Sequence, residues 1–166
     1  NRPGANTIIA YDTVAKSAPD GYTILQASDT LASNVGLFTT LPYDTFKDFA
    51  PISRTAWLPL VIMAGKGFAP DTLAELVAAA KAKPGGITYA SFGTGSVSHL
   101  GAELLKARAG IDMVHVPYKG APQAIVDVLN GTVPVFFSGL PPALPFVKDG
   151  RAKAIAVTGA TRSPQL

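Results

Sequence analysis

The run Ser91-Phe92-Gly93-Thr94-Gly95-Ser96-Val97-Ser98-His99 holds the residue types most able to do chemistry in this chain. A β-branched stretch, Ile87-Thr88-Tyr89-Ala90, leads into it and a helical pattern leads out. Gly93 and Gly95 let the backbone approach a ligand closely, and the unpaired amides at a helix start face whatever anion lies there. Ser96 and Ser98 add hydroxyl donors. The same residues also fit a plainer role, in which Ser96 caps its helix and the glycines only turn the chain. Lys119, with Tyr118, stands where it could neutralise a carboxylate, or it is an exposed lysine before Gly120. His99 could donate to an anion, although a structural histidine fits it better. His115, inside a β-branched strand, is expected in the core or on a sheet face.

Catalytic patterns are weak. No Gly-x-Ser-x-Gly elbow occurs, and Gly93-Thr94-Gly95-Ser96 lacks the spacing that turn needs. The loop runs Gly93-x-Gly95-x-x-Ser98, one residue type short of a dinucleotide fingerprint, which keeps a nucleotide- or phosphate-handling α/β enzyme as the alternative. Two histidines without neighbouring carboxylates make a poor metal site, so neither a metal nor a cofactor is expected. Cysteine is absent, which excludes disulfides and thiol chemistry.

The 166 residues are 48% hydrophobic and 15% charged, enough to bury a sizeable core. A net charge of +3 suits small anions, but without a basic stripe no nucleic-acid partner is expected. The longest apolar stretch, Trp57 to Ala64, contains Pro59 and is too short to span a bilayer, so no direct membrane insertion is expected. The chain begins Asn1-Arg2-Pro3-Gly4, without Met, as a piece of a longer precursor would.

These loops need elements to hold them. Strands at Ile87–Ser91, Met113–Val116, Val133–Phe137 and Ala154–Thr158 alternate with helices at Val97–Ala109, Pro122–Asn130 and Pro142–Asp149. That order predicts a parallel sheet with right-handed crossovers. Gly110, Gly131 and Gly150 follow the helical runs as caps would, and Thr72-x-x-Glu75 reads as a capping box ahead of another helix. The first sixty residues predict a helix at Thr7–Ala15, a turn at Pro19-Asp20-Gly21, a strand at Tyr22–Ala27 and a polar loop from Ser28. Open parallel sheets bind ligands beyond their strands' carboxyl ends. Those ends are the Ser91 loop, Pro117-Tyr118-Lys119-Gly120, Phe137-Ser138-Gly139-Leu140 and Thr158-Gly159, expected to converge on one crevice. The Ser28-Asp29-Thr30 loop, also after a strand, is a candidate to face it.

Several ordered motifs run the length of the chain: Asn1-Arg2-Pro3-Gly4, Ala18-Pro19-Asp20-Gly21-Tyr22-Thr23, Leu41-Pro42-Tyr43, Lys47-Asp48-Phe49-Ala50-Pro51, Ser91 to Leu100, His115-Val116-Pro117-Tyr118-Lys119-Gly120, Leu140-Pro141 with Ala143-Leu144-Pro145, and Ala156-Val157-Thr158. In these the chain resembles the periplasmic solute-binding proteins of tripartite tricarboxylate transporters, the Bug or TctC family. The resemblance implies an α/β, periplasmic-binding-protein-like (Venus flytrap) fold with parallel-sheet sandwich domains. Residues 1–62 would form a partial first domain and 63–166 the second, ligand-binding domain. The family's N-terminal strand with its Gly-rich loop, and its C-terminal return segment, have no counterpart in this sequence.

The resemblance further implies a periplasmic receptor rather than an enzyme, without cofactor. It would capture a small carboxylated metabolite (a di- or tricarboxylate, an acidic amino acid or an aromatic carboxylate) and deliver it to membrane permease subunits. Carried over by position, ligand-binding residues are Ser28 and Thr30, then Ser91, Gly93, Thr94, Gly95, Ser96 and His99, with Tyr118, Lys119 and Ser138. Two departures stand out. Asn6-Thr7-Ile8-Ile9 replaces the family's usual Gly-Gly-Asn-Ile, and Asp29 and Leu31 stand where Gly and His are common. Asp29 is a specificity candidate: facing the ligand it would repel a dicarboxylate and pair with an amine. Alternatively, it faces solvent.

Overall fold

The computed structural model describes residues 5–166, so the Asn1–Gly4 motif lies outside the described residues. The chain divides into two compact units, one of Asn1–Ala56 with Gly95–Val97 and one of Trp57–Thr94 with Ser98–Leu166.

The larger unit is built on five strands: β1 Leu60–Gly65, β2 Thr88–Ser91, β3 Val114–Pro117, β4 Val135–Gly139 and β5 Ala152–Val157. Their spatial order is β3-β2-β4-β1-β5. β2 runs parallel to β3 and β4, whereas β1 is antiparallel to both its neighbours, β4 and β5. The sheet is therefore mixed, which corrects the expectation of a wholly parallel one. All six residues of β1 are buried. An unbroken apolar run with Pro59 just before its first residue suits a strand covered on both faces. The division expected at residue 62 falls inside this strand. Leu60 N–H donates to Thr158 Oγ1 at 2.9 Å and Thr158 N–H to Leu60 O at 2.9 Å, tying the strand to the end of β5. The four strands other than β1 point the same way, so their carboxyl ends share one edge.

Side chains alternate across this sheet. Val61, Met63, Ala90 and Phe136 pack on one face with Ala124, Ile125, Val128, Leu140 and Ala143. These come from α5 (Ala121–Leu129) and α6 (Leu140–Lys148). Ile62, Tyr89, Val135 and Phe137 pack on the other face with Leu76, Ala80 and Ala102, from α3 (Leu73–Ala82) and α4 (Val97–Ala109). The capping box forms at the start of α3. Glu75 N–H donates to Thr72 Oγ1 at 3.2 Å, and the Glu75 carboxylate accepts from Asp71 N–H at 2.7 Å, one residue before the cap.

The smaller unit contains a 3-10 turn Ala5–Thr7, α1 (Ile8–Ala15) and α2 (Thr30–Leu37). The strand expected at Tyr22–Ala27 does not form. A strand needs a ladder partner, and among the described residues no strand lies in this unit; Tyr22 is 92% exposed. The polar loop expected from Ser28 instead becomes α2 at Thr30.

Candidate functional site

β2 ends on Ser91, and the chain then turns through Gly93 (φ +114°) and Gly95 (φ +81°), backbone conformations that L side chains rarely adopt. Ser91 is fully buried and ties this turn together. Its Oγ accepts from Gly93 N–H at 3.0 Å and donates to Gly93 O at 3.2 Å, and it stands 2.6 Å from His115 Nε2. Ser91 O accepts from Tyr118 N–H at 3.1 Å, continuing the β2–β3 pairing. Thr94 is exposed at the turn and Ser96 is buried. Ser98, expected to offer a donor to an anion, instead gives its hydroxyl to the Phe137 carbonyl of β4, one residue beyond the β2–β4 ladder.

Behind the turn lies a stack of rings. His99, one turn into α4, stacks on His115 with centroids 4.1 Å apart, and His115 stacks on Tyr89 at 5.1 Å. The Tyr89 hydroxyl donates to Glu103 at 2.7 Å, and Lys106 binds the same carboxylate at 2.9 Å. Burial, then the neighbouring His99, holds the His115 imidazole below its ordinary pKa of 6.5. Burial pushes the Tyr89 phenol up, and its bond to Glu103 adds to this. For Glu103 burial works upward, but the hydrogen bonds from Tyr89 and Lys106 outweigh it and the carboxyl lies below its usual range. For His115 the sequence predicts only a core or sheet-face position. The parallel register was the missing signal: Tyr89 pairs with His115, so Ser91, two residues on, shares its face.

The other candidates in this unit are placed differently. Tyr118 packs on the α5 face, opposite to Tyr89, and its hydroxyl donates to Asp127 at 2.5 Å. Burial, with Asp127 beside it, pushes that phenol up to about 12. A hollow lined by Tyr118, Pro122, Gln123, Val126 and Asp127 includes no residue of the Ser91–His99 run. Lys119 is exposed, and Ser138 is buried with its hydroxyl on Gly139 O at 2.9 Å.

In the smaller unit Ser28 and Thr30 do come together, around a residue the sequence did not single out. Tyr11 is fully buried. Its hydroxyl lies 2.7 Å from Thr30 Oγ1 and 3.2 Å from Ser28 Oγ, which are themselves 2.8 Å apart. Ser28 N–H donates to the same phenol at 3.3 Å. Nearby, Asn34 accepts from Asn6 Nδ2 at 2.6 Å and donates to the Tyr43 hydroxyl at 3.2 Å. Asn6 (φ +52°) and Thr7 (φ +70°) occupy the left-handed region, in the positions where glycines were expected from the resemblance. Asp29 is exposed at the start of α2, and its side chain makes no capping hydrogen bond.

Among the described residues no group of three His, Cys, Asp or Glu side chains is placed to hold a metal. Among the described residues, likewise, no helix is long and apolar enough to cross a membrane.

The family model described as "Tripartite tricarboxylate transporter family receptor" matches residues 1–166. BugT of Bordetella pertussis is 37% identical over 165 residues, covering 98% of this chain and 51% of that protein. The Rhodopseudomonas palustris protein Rpa4515, solved with adipate, superposes with a TM-score of 0.93 at 32% identity, over 100% of this chain and 56% of its own. MatC of Rhodopseudomonas palustris, solved with bound malate, gives 0.83 at 31% identity, over 97% of this chain and 55% of its own. The chain thus spans about half the length of the relatives it matches, and its architecture is the α/β periplasmic-binding-protein fold they share. With the family model matching from first residue to last, this chain belongs to the tripartite tricarboxylate transporter receptor family, TctC, whose members are solute-binding receptors and not enzymes.

Proposed function

We propose that this chain forms part of a periplasmic receptor that captures a small di- or tricarboxylate and passes it to membrane permease subunits. The observation that carries the reading is the Ser91–Ser96 turn. It stands at the carboxyl end of a strand and the start of α4, its two glycines have left-handed φ, and Ser91 pins its Gly93 peptide. Backbone amides and hydroxyls at such a place suit a carboxylate without a dedicated cation, in keeping with the exposed position of Lys119. Ser28 and Thr30, joined by the Tyr11 phenol, are a second hydroxyl cluster of the same kind. Relatives solved with adipate and malate support a ligand with two carboxylates. We also infer that the segment up to Ala56 and the larger unit that begins at Trp57 belong to different domains of the whole receptor, with the boundary ahead of β1 instead of at residue 62, and that Asp29 selects ligands that carry an amine.

A thermal-shift screen of the intact protein tests the ligand class. A ligand at a hundred times its Kd stabilises the native state by about 2.7 kcal/mol. Adipate, malate, citrate or aspartate should raise the melting temperature, and ATP and inorganic phosphate should not. Stabilisation by ATP or phosphate alone would return the Ser91–His99 run to the phosphate-handling alternative.

A further inference from the structure

A serine hydroxyl has one hydrogen and two acceptor sites. At Ser91 the Gly93 N–H fills one acceptor site, and His115 Nε2 lies against the oxygen at 2.6 Å. What Nε2 does there decides where the hydrogen goes. If Nε2 accepts, the hydrogen is used on the ring. If Nε2–H donates, both acceptor sites are full and the hydrogen turns to the Gly93 carbonyl, 3.2 Å away. Ser91 then grips Gly93 on both sides, at the N–H of the peptide before its Cα and the C=O of the peptide after it. An imidazolium always donates from Nε2, whereas the neutral ring does so in one of its two tautomers.

We propose that His115 is a positioning residue for the carboxylate turn: Nε2–H donation to Ser91 sets the Gly93 peptide, and carboxylate binding is thereby coupled to proton uptake by His115. The coupling rests on the carboxylate reading of the turn. An anion held at the turn favours both the donating ring and its positive charge. The groups facing the imidazole set the starting point. From α4 come His99, stacked on it, with Glu103 and Lys106; from β2 comes Tyr89, whose hydroxyl is held by Glu103. Asp112, before β3, reaches Lys106 at 3.8 Å. Burial, His99 and Lys106 favour the neutral ring and Glu103 opposes them. The free ring therefore favours the neutral form, and binding, by favouring the charged one, draws in a proton increasingly as pH falls.

The test compares wild type, His115→Gln and His115→Ala in the intact protein. His115→Gln keeps an N–H that can reach Ser91 but cannot titrate. Calorimetry with adipate and with malate, at about pH 6 and pH 7.5 in two buffers of different ionisation enthalpy, counts protons taken up on binding. The ligand's own protonation is common to all three proteins and cancels in the comparison. Wild type should take up more protons at the lower pH than His115→Gln, and its affinity should gain at least about twofold more on acidification. His115→Gln should stay within about threefold of wild type at pH 7.5, while His115→Ala binds about tenfold weaker or worse. Without ligand, hydrogen exchange at the Gly93 amide should be slow in wild type and His115→Gln and faster in His115→Ala. Proton uptake and a pH profile in His115→Gln that match wild type would overturn the coupling. If neither these two acids nor citrate nor aspartate binds wild type, the carboxylate reading fails, and Gly93 exchange unchanged in His115→Ala refutes the positioning role separately.

Discussion

Replacing Gly93 by alanine should either weaken carboxylate binding or lower the stability of the fold, according to how the chain handles the strained backbone. A Cβ at this position meets no atom closer than the Tyr118 carbonyl oxygen, at 3.6 Å, which is ordinary contact. Sterics with neighbours therefore contribute nothing, and the whole effect comes from the backbone, since φ is +114°. Holding a non-glycine residue in such a sparsely populated region costs about 1–3 kcal/mol. The chain can bear that strain or relax it by rotating φ to a negative value. Rotation would aim the Gly93 N–H away from Ser91 Oγ and spoil the turn. If the free chain relaxes, binding must restore the turn, and carboxylate affinity should drop by a factor of about 5 to 150, because each 1.4 kcal/mol is tenfold; strain borne in both free and bound protein leaves affinity near wild type. Strain that is borne lowers the melting temperature by about 2–12 °C, whereas relaxed strain leaves it near wild type. Gly67→Ala is the matched control, because nothing lies within 4 Å of its added Cβ and its φ is outside the left-handed range. Calorimetry with adipate and a thermal melt on the same samples separate the two routes. Affinity within twofold of wild type together with an unchanged melting temperature would refute the argument.

Tyr11→Phe removes the phenol that joins Ser28 to Thr30 but leaves those two hydroxyls bonded to each other; denaturant unfolding should show a loss of about 1–1.5 kcal/mol. Asp29→Ala should lower affinity for aspartate relative to succinate, and an unchanged ratio in calorimetry would place the Asp29 carboxylate outside ligand selection. The Tyr118 phenol, ordinarily near 10, is raised to about 12 in the folded protein. Its contribution is complete below pH 10 and is lost as pH rises through 12, so Tyr118→Phe should flatten the fall in stability over that interval, read by denaturant midpoints.

Local grammar was legible where a residue's neighbours in sequence are also its neighbours in space. The Thr72 capping box and the alternation of strands and helices after Ile87 are of this kind. So is the turn between β2 and α4, where Gly93 and Gly95 take the conformations their type permits. Direction was not legible. An apolar run such as Leu60–Gly65 looks alike pointing either way, and its antiparallel insertion depends on partners far along the chain. Tyr22–Ala27 has the composition of a strand, but strand formation is a property of a pair. For the candidate site, spacing brought out the hydroxyls but not what aims them. Tyr11 carries no signal of its own in the sequence, and His115 reads only as a strand residue. Their roles come from tertiary register, which sets Tyr11 against Ser28 and Thr30 and His115 against Ser91. The α2 helix escaped notice because Thr30, Ser33, Asn34 and Gly36 are poor helix formers.

The placement of β1 also has a consequence for how the molecule is made. It is the first strand of the larger unit to leave the ribosome, yet both strands that flank it come last, and its contact with Thr158 spans 98 residues of chain. Until β4 and β5 are synthesised, a wholly apolar six-residue segment has neither edge hydrogen-bonded. Closing so long a loop is slow compared with local helix formation. The nascent chain therefore passes through a stage in which an apolar, strand-forming stretch is complete and unpaired, and β1 is a segment a holdase chaperone would protect.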